Sequence, residues 1–192
     1  MKKSILIVAT LCFAQLLLLP RLASADTVTL GVVSPATVSQ GNTFAVAVNI
    51  SGVANLYDYQ FDLRFNPSVL SATGVTEGAF LSSGGATIFI PGIDNGLGTI
   101  AFNADTLLTA IPGVSGAGTL LLFDFTALTK GVSSLSLSNI ILQDSDGHLI
   151  ANTNTGSKVS VTGTIQTPEP SILLLLASAL GAMAILAALK RQ

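Results

Sequence analysis

His148 is the only histidine in the 192 residues and Cys12 the only cysteine, which bounds the chemistry before any fold is considered. One imidazole excludes a histidine metal cluster. A serine triad would have to use His148, and Gly113-Val114-Ser115-Gly116 lacks the Gly-x-Ser-x-Gly spacing of a nucleophile elbow. Cys12 lies in an N-terminal apolar run expected to be removed, so no thiol nucleophile or thiolate metal site remains. Asp58 and Asp62 stand four apart, about 13 Å on an extended strand, beyond the roughly 6.5–9.5 Å of an inverting glycosidase pair. Asp144-Ser145-Asp146-Gly147 opens like a calcium loop, but its glycine does not stand at the sixth position that an EF-hand requires. The favoured reading is a polar hairpin turn with His148 solvated beside it, and Asp144 and Asp146 are the ligands to test for calcium. No cofactor is expected. These residues point to surface recognition, and a polysaccharide hydrolase is the disfavoured alternative.

The recognition residues need a strand to carry them. In Tyr57-Asp58-Tyr59-Gln60-Phe61-Asp62-Leu63-Arg64-Phe65 the odd positions are all aromatic or aliphatic and the even positions all polar. That period of two predicts one face in a core and the other in water. Asp58, Gln60, Asp62 and Arg64 would then project together, offering donors and acceptors without hydrophobic bulk. They form the candidate binding face. Tyr57 and Tyr59 turn inward and the chain has no Trp, so no aromatic platform for a crystalline polysaccharide is expected. Phe44, Val46, Val48 and Ile50 repeat the alternation, as do Ile100, Phe102 and Ala104, then Leu121, Phe123 and Phe125. Leu135 and Leu137 alternate with serines, and Val159, Val161 and Ile165 close the set. Short runs at 27–33, 69–75 and 87–91 bring the expectation to about nine strands. Gln40-Gly41-Asn42, Asn66-Pro67, Pro91-Gly92, Asp94-Asn95-Gly96, Pro112-Gly113 and Asp146-Gly147 supply turn residues between them. No convincing 3.6-residue period appears between the ends. The pattern predicts an all-β antiparallel sandwich or jelly roll.

Composition places the membrane character at the two ends. Hydrophobic residues make up 49% of the chain and charged residues 9%, with a mean hydropathy of +0.71. Residues 1–25 and 171–192 supply 17 and 16 of the hydrophobic residues, leaving 62 among the 145 residues of 26–170, an ordinary share for a globular domain. That middle holds ten acids and three bases, a net charge of -7 against -2 for the whole chain. The lack of a basic face excludes a nucleic-acid partner. Lys2 and Lys3, an apolar run from Ile5 to Leu19, and Ala23-Ser24-Ala25 form a signal-peptide pattern cut after Ala25. Ile172 to Leu189 is apolar and long enough to span a bilayer. Lys190 and Arg191 would stay on the cytoplasmic side, which places 26–170 outside.

Pro168-Glu169-Pro170, the apolar span and Lys190-Arg191 together resemble the PEP-CTERM sorting signal. That resemblance implies handling by exosortase, a membrane protease-transpeptidase of Gram-negative bacteria that make exopolysaccharide. It also implies an inner-membrane-anchored precursor delivered to the cell surface or extracellular matrix. A second resemblance covers the middle. Val38-Ser39-Gln40-Gly41-Asn42-Thr43-Phe44, then Phe61-Asp62-Leu63-Arg64-Phe65-Asn66-Pro67-Ser68-Val69-Leu70, is similar to the opening of a cohesin domain. Gly98-Thr99-Ile100-Ala101-Phe102 and Gly118-Thr119-Leu120 with Phe123 also fit family positions. The resemblance implies a nine-strand jelly roll. It also implies a binding face in which Asp58 and Gln60 replace the Asn and Asp that hydrogen-bond dockerin helices. The expected organisation is a signal peptide at 1–25, a cohesin-like domain at 26–166, and a sorting signal at 167–192 with its helix at 172–189. The expected function is non-enzymatic adhesion to a dockerin-like protein or a polysaccharide, against a structural matrix component with no defined ligand.

Overall fold

A computed structural model describes residues 27–92, 96–109, 112–163 and 189–190. In chain order the elements are β1 (Val28–Val33), β2 (Thr37–Ser39), β3 (Thr43–Arg64) and β4 (Leu70–Glu77). A single helical turn, α1 (Ala79–Ser82), precedes β5 (Thr87–Ile90), β6 (Thr99–Leu107) and β7 (Val114–Ala127). The order ends with β8 (Gly131–Asp144), β9 (Asn152–Thr155) and β10 (Ser157–Thr162). The expected jelly-roll sandwich is present, with ten strands among the described residues rather than about nine. Most pairings are antiparallel, but β9 runs parallel to β1 and β10 parallel to β2.

The architecture turns on β3. Sequence patterning predicts separate strands at 44–50 and 57–65, yet they form one strand of 22 residues. Gly52 (φ 71°) and Asn55 (φ 62°) take left-handed conformations, so the chain shifts register against β7 without leaving the ladder. Its first half pairs with β1 and β7, and β4 and β9 extend that layer. Its second half pairs with β6 and β8, continued by β5 on one side and by β10 and β2 on the other.

The core lies between these layers. Val46, Val48, Ile50, Leu121, Phe123 and Phe125 face it from the first, and Tyr59, Phe61, Leu63, Ile100, Leu137 and Leu142 from the second. Each such side chain contributes about 1.5–3 kcal/mol by leaving water. Phe65 meets Phe125 edge-on at 5.2 Å, joining the layers, and the Tyr59 hydroxyl donates to the Leu120 carbonyl at 3.0 Å.

Two predicted inward residues, Phe102 and Ala104, are reversed. The alternation places both in the core with Ile100, but Phe102 is 53% exposed. Between Leu63↔Ile100 and Phe61↔Asn103 strand β6 spends one residue more than β3. This bulge exchanges the faces of everything beyond it. Asn103 and Asp105 turn inward as a result, and Ala104 turns away from the core. Asn103 Nδ2 donates to the Ile100 and Phe61 carbonyls at 2.7 and 3.2 Å, satisfying backbone acceptors beside the bulge.

Candidate functional site

The ladder registers place the candidate residues on the outer face of the second layer. One row across four strands runs Ile88–Thr106–Asp58–Gln143, and the next runs Ile90–Ala104–Gln60–Ile141. A shallow depression of about 420 Å³ lies over both rows. Asp58 and Gln60 therefore sit at its middle. Oriented to suit its neighbours, the Gln143 amide donates to both Asp58 oxygens at 3.0 and 3.2 Å. Partial burial pushes the Asp58 carboxyl above its ordinary range.

The surroundings differ from the expected purely polar face. Ile88, Ile90 and Ile141 are 49%, 47% and 39% exposed. An apolar rim thus frames the polar centre. Gln143 and these isoleucines were not foreseen, because Thr87-Ile88-Phe89-Ile90 is too uniformly apolar in its last three residues to assign faces. The structure turns Phe89 toward the core and leaves Ile88 and Ile90 outside.

Asp62 and Arg64 also depart from the expected free polar stripe. Asp62 is buried. Its Oδ1 accepts the Phe102 N–H at 2.8 Å and its Oδ2 accepts Asn139 Nδ2–H at 2.6 Å. Arg64 is exposed and donates Nε–H to Ser138 Oγ at 3.1 Å. Both act first as ties between strands. A hydrogen-bonded, buried Asp62 is also an unsuitable partner for Asp58 in a glycosidase pair.

A second carboxylate lies beneath the face. Asp105 is 2% exposed, with Oδ1 lacking a partner and Oδ2 3.4 Å from the Tyr59 hydroxyl. Burial raises its pKa to about 7, and the nearby Glu77 charge adds to the effect. Burial first, and the Asp105 charge second, push the Tyr59 phenol upward as well. Glu77 accepts a hydrogen bond from Thr87 Oγ at 2.8 Å, tying β4 to β5.

The Asp144–His148 segment is the hairpin turn that the sequence suggested. Asp144, Asp146 and His148 bring ligand atoms within 4.8 Å of one another. The Asp144 carboxylate already accepts the Asp146 and His148 N–H groups, each at 2.9 Å, and lies 3.4 Å from His148 Nδ1. The His148 backbone N–H foremost lowers the Asp144 pKa. The turn accounts for these contacts, and an imidazole suits calcium poorly. The donor set therefore does not fit a calcium site.

Ala23, Ala25, Pro168, Glu169, Pro170 and Arg191 lie outside the described residues, as does nearly all of the expected span 172–189. Lys190 is exposed. Among the described residues, no helix is long and apolar enough to cross a membrane.

Solved structures share the fold. A non-cellulosomal cohesin from the archaeon Archaeoglobus fulgidus aligns with a TM-score of 0.60 at 18% identity, covering 73% of this chain and 94% of that one. The sixth cohesin of Acetivibrio cellulolyticus scaffoldin B, solved with a mutant Cel5 dockerin, gives 0.60 at 16% over 71% and 99%. The cohesin module of a Clostridium perfringens family 33 glycoside hydrolase gives 0.60 at 12% over 72% and 98%. No curated protein matches the chain in sequence. The cohesin domain family matches residues 28–166, and the chain belongs to that family, whose domains are non-enzymatic binding modules.

Proposed function

We propose that the chain is an exported docking module whose β5–β6–β3–β8 face binds a dockerin-like protein partner. The observation that carries this reading is the apolar rim of Ile88, Ile90 and Ile141 around the polar centre of Asp58, Gln60 and Gln143. Such a surface matches a helix bearing both aliphatic and donor side chains, because the rim excludes water from the central hydrogen bonds. A glycan would instead favour an aromatic platform. Tyr59 is the one aromatic residue lining the depression, and its ring is buried in the core. The exposed Phe102, two residues from Ala104, offers a single ring and not a platform. Binding of a dockerin by the Acetivibrio cellulolyticus relative supports the choice of partner.

The binding test uses immobilised chain against a panel of dockerin modules and against purified exopolysaccharide. Saturable dockerin binding is expected, with affinity about 10–100-fold lower in the Asp58→Ala, Gln60→Ala double variant. Binding of polysaccharide alone, or dockerin binding unchanged in that variant, contradicts the reading. Binding to neither points to a structural matrix component.

The same proposal covers delivery. The signal pattern ending at Ala25 directs export. The Pro168-Glu169-Pro170, apolar and Lys190-Arg191 order directs exosortase processing to the cell surface or matrix of a Gram-negative bacterium. Mass spectrometry of the mature protein is expected to show a chain beginning at Asp26 and ending near Glu169. An intact Lys190-Arg191 terminus contradicts processing.

A further inference from the structure

We infer that Phe102 is the apolar anchor of the docking face, positioned by Asp62 on a left-handed backbone to meet an aliphatic or aromatic side chain of the partner. The inference deepens the protein-docking reading and rests on it. Both strands beside Asp62 bulge. Between the Phe61 and Leu63 pairs β3 has Asp62 alone, whereas β6 has two residues, Ala101 and Phe102. Between the Gln60 and Asp62 pairs β3 has Phe61 alone, whereas β8 has two residues, Asn139 and Ile140. Phe102 has φ 57° and Asn139 φ 51°. Asp62 holds both bulges at once, one carboxylate oxygen to the Phe102 N–H and the other to the Asn139 amide.

The choice of residue at these two bulges differs. Asparagine tolerates the left-handed region, so Asn139 needs no further reason. A bulky aromatic there is a genuine outlier. Packing does not compensate for it, because Phe102 remains 53% exposed. Backbone strain retained under an exposed aromatic, and fixed by a buried carboxylate, is the signature of a pre-organised contact. Phe102 is two residues along β6 from Ala104, so it extends the apolar rim formed by Ile88, Ile90 and Ile141.

The partner's chemistry follows from the charges and spacing. The domain segment is net negative, and Asp58 stands in the row of Thr106. Thr106 stands four positions beyond Phe102, about 13 Å of strand and roughly two turns of a helix laid along it. The fitting segment is an amphipathic helix with an apolar side chain over Phe102 and a basic or amide side chain about two turns away over Asp58.

The test pairs stability with binding, and its probes are two-helix scaffolds selected by display on the purified wild-type chain. Phe102→Gly relieves the left-handed strain, so its Tm is expected to hold or rise by up to about 5 °C. Its affinity for the selected scaffolds is expected to fall at least about 10-fold. Phe102→Leu keeps the apolar bulk and is expected to bind within about 3-fold of wild type. A lower Tm for Phe102→Gly would show the ring to be structural and overturn the inference. Unchanged scaffold affinity in Phe102→Gly, or a library that yields no binder, overturns it equally. The docking reading fails on a different result: scaffold binding that is lost in Phe102→Gly but indifferent to the Asp58→Ala, Gln60→Ala pair.

Discussion

Asp62→Ala is expected to destabilise the domain by about 2–4 kcal/mol, well above the roughly 0.5 kcal/mol typical of a surface substitution. The carboxylate looks like one member of a solvated stripe when read from the sequence alone. In the structure it is buried and accepts two hydrogen bonds, one from a backbone N–H and one from an amide. Bonds to a charged acceptor contribute about 1.5–3 kcal/mol each. Their loss frees both bulges beside β3, so partner binding is expected to weaken with stability. Asp62→Asn preserves one acceptor and should lose about half as much. Urea unfolding measures both variants, with the midpoint lowered and the m-value unchanged. A loss below about 1 kcal/mol for Asp62→Ala would mean that the two bonds do not hold the bulges.

Asp105→Asn is expected to change how stability depends on pH. Burial and the Glu77 charge raise the native pKa of Asp105 to about 7, whereas the unfolded carboxyl titrates near 3.8. Between these values the folded state binds the additional proton, so stability falls as pH rises. The stabilisation is complete below about pH 4 and lost once pH passes about 7. The groups facing Asp105 are Glu77 on β4 and Tyr59 on β3, with Thr87 on β5 bonded to that Glu77. An asparagine amide imitates the protonated carboxyl and can donate to Glu77 without titrating. The stability difference between variant and wild type is therefore expected to move in the variant's favour by about 2–4 kcal/mol between pH 4 and pH 8. Other titrating groups are common to both chains and cancel in that difference. Parallel stability curves would show that Asp105 carries its charge in the fold at no cost.

Asp58, Gln60 and the buried Tyr59, Phe61 and Leu63 were legible in the sequence because a period of two holds without interruption from Tyr57 to Phe65. The same rule failed at Phe102. It assumes one residue for each step of the ladder, and a bulge inserts another without leaving a glycine or proline to mark it. That insertion also hid Asn103 and Asp105, which look solvent-facing until the register changes. Asp62 sits on the side that alternation assigned, but bulges on both neighbouring strands close over it. Ile88, Ile90 and Gln143 join the site only through cross-strand pairing, which no local window contains. The two halves of β3 look like separate strands because the alternation that ends at Ile50 is not in phase with the one that starts at Tyr57, across a segment that includes Gly52 and Asn55. Here they bend a strand that remains paired.

The central claim is that the outer face of β5, β6, β3 and β8 docks a protein. Amide hydrogen exchange of the chain, alone and with the tightest-binding dockerin module of the panel, tests it most directly. The account predicts slowed exchange in residues 58–60, 88–90, 102–106 and 141–143, with none gained around Ala47 and Leu122 on the opposite layer. Protection centred on Ala47 and Leu122, or no change on the β5–β6–β3–β8 face in a saturated complex, would contradict it.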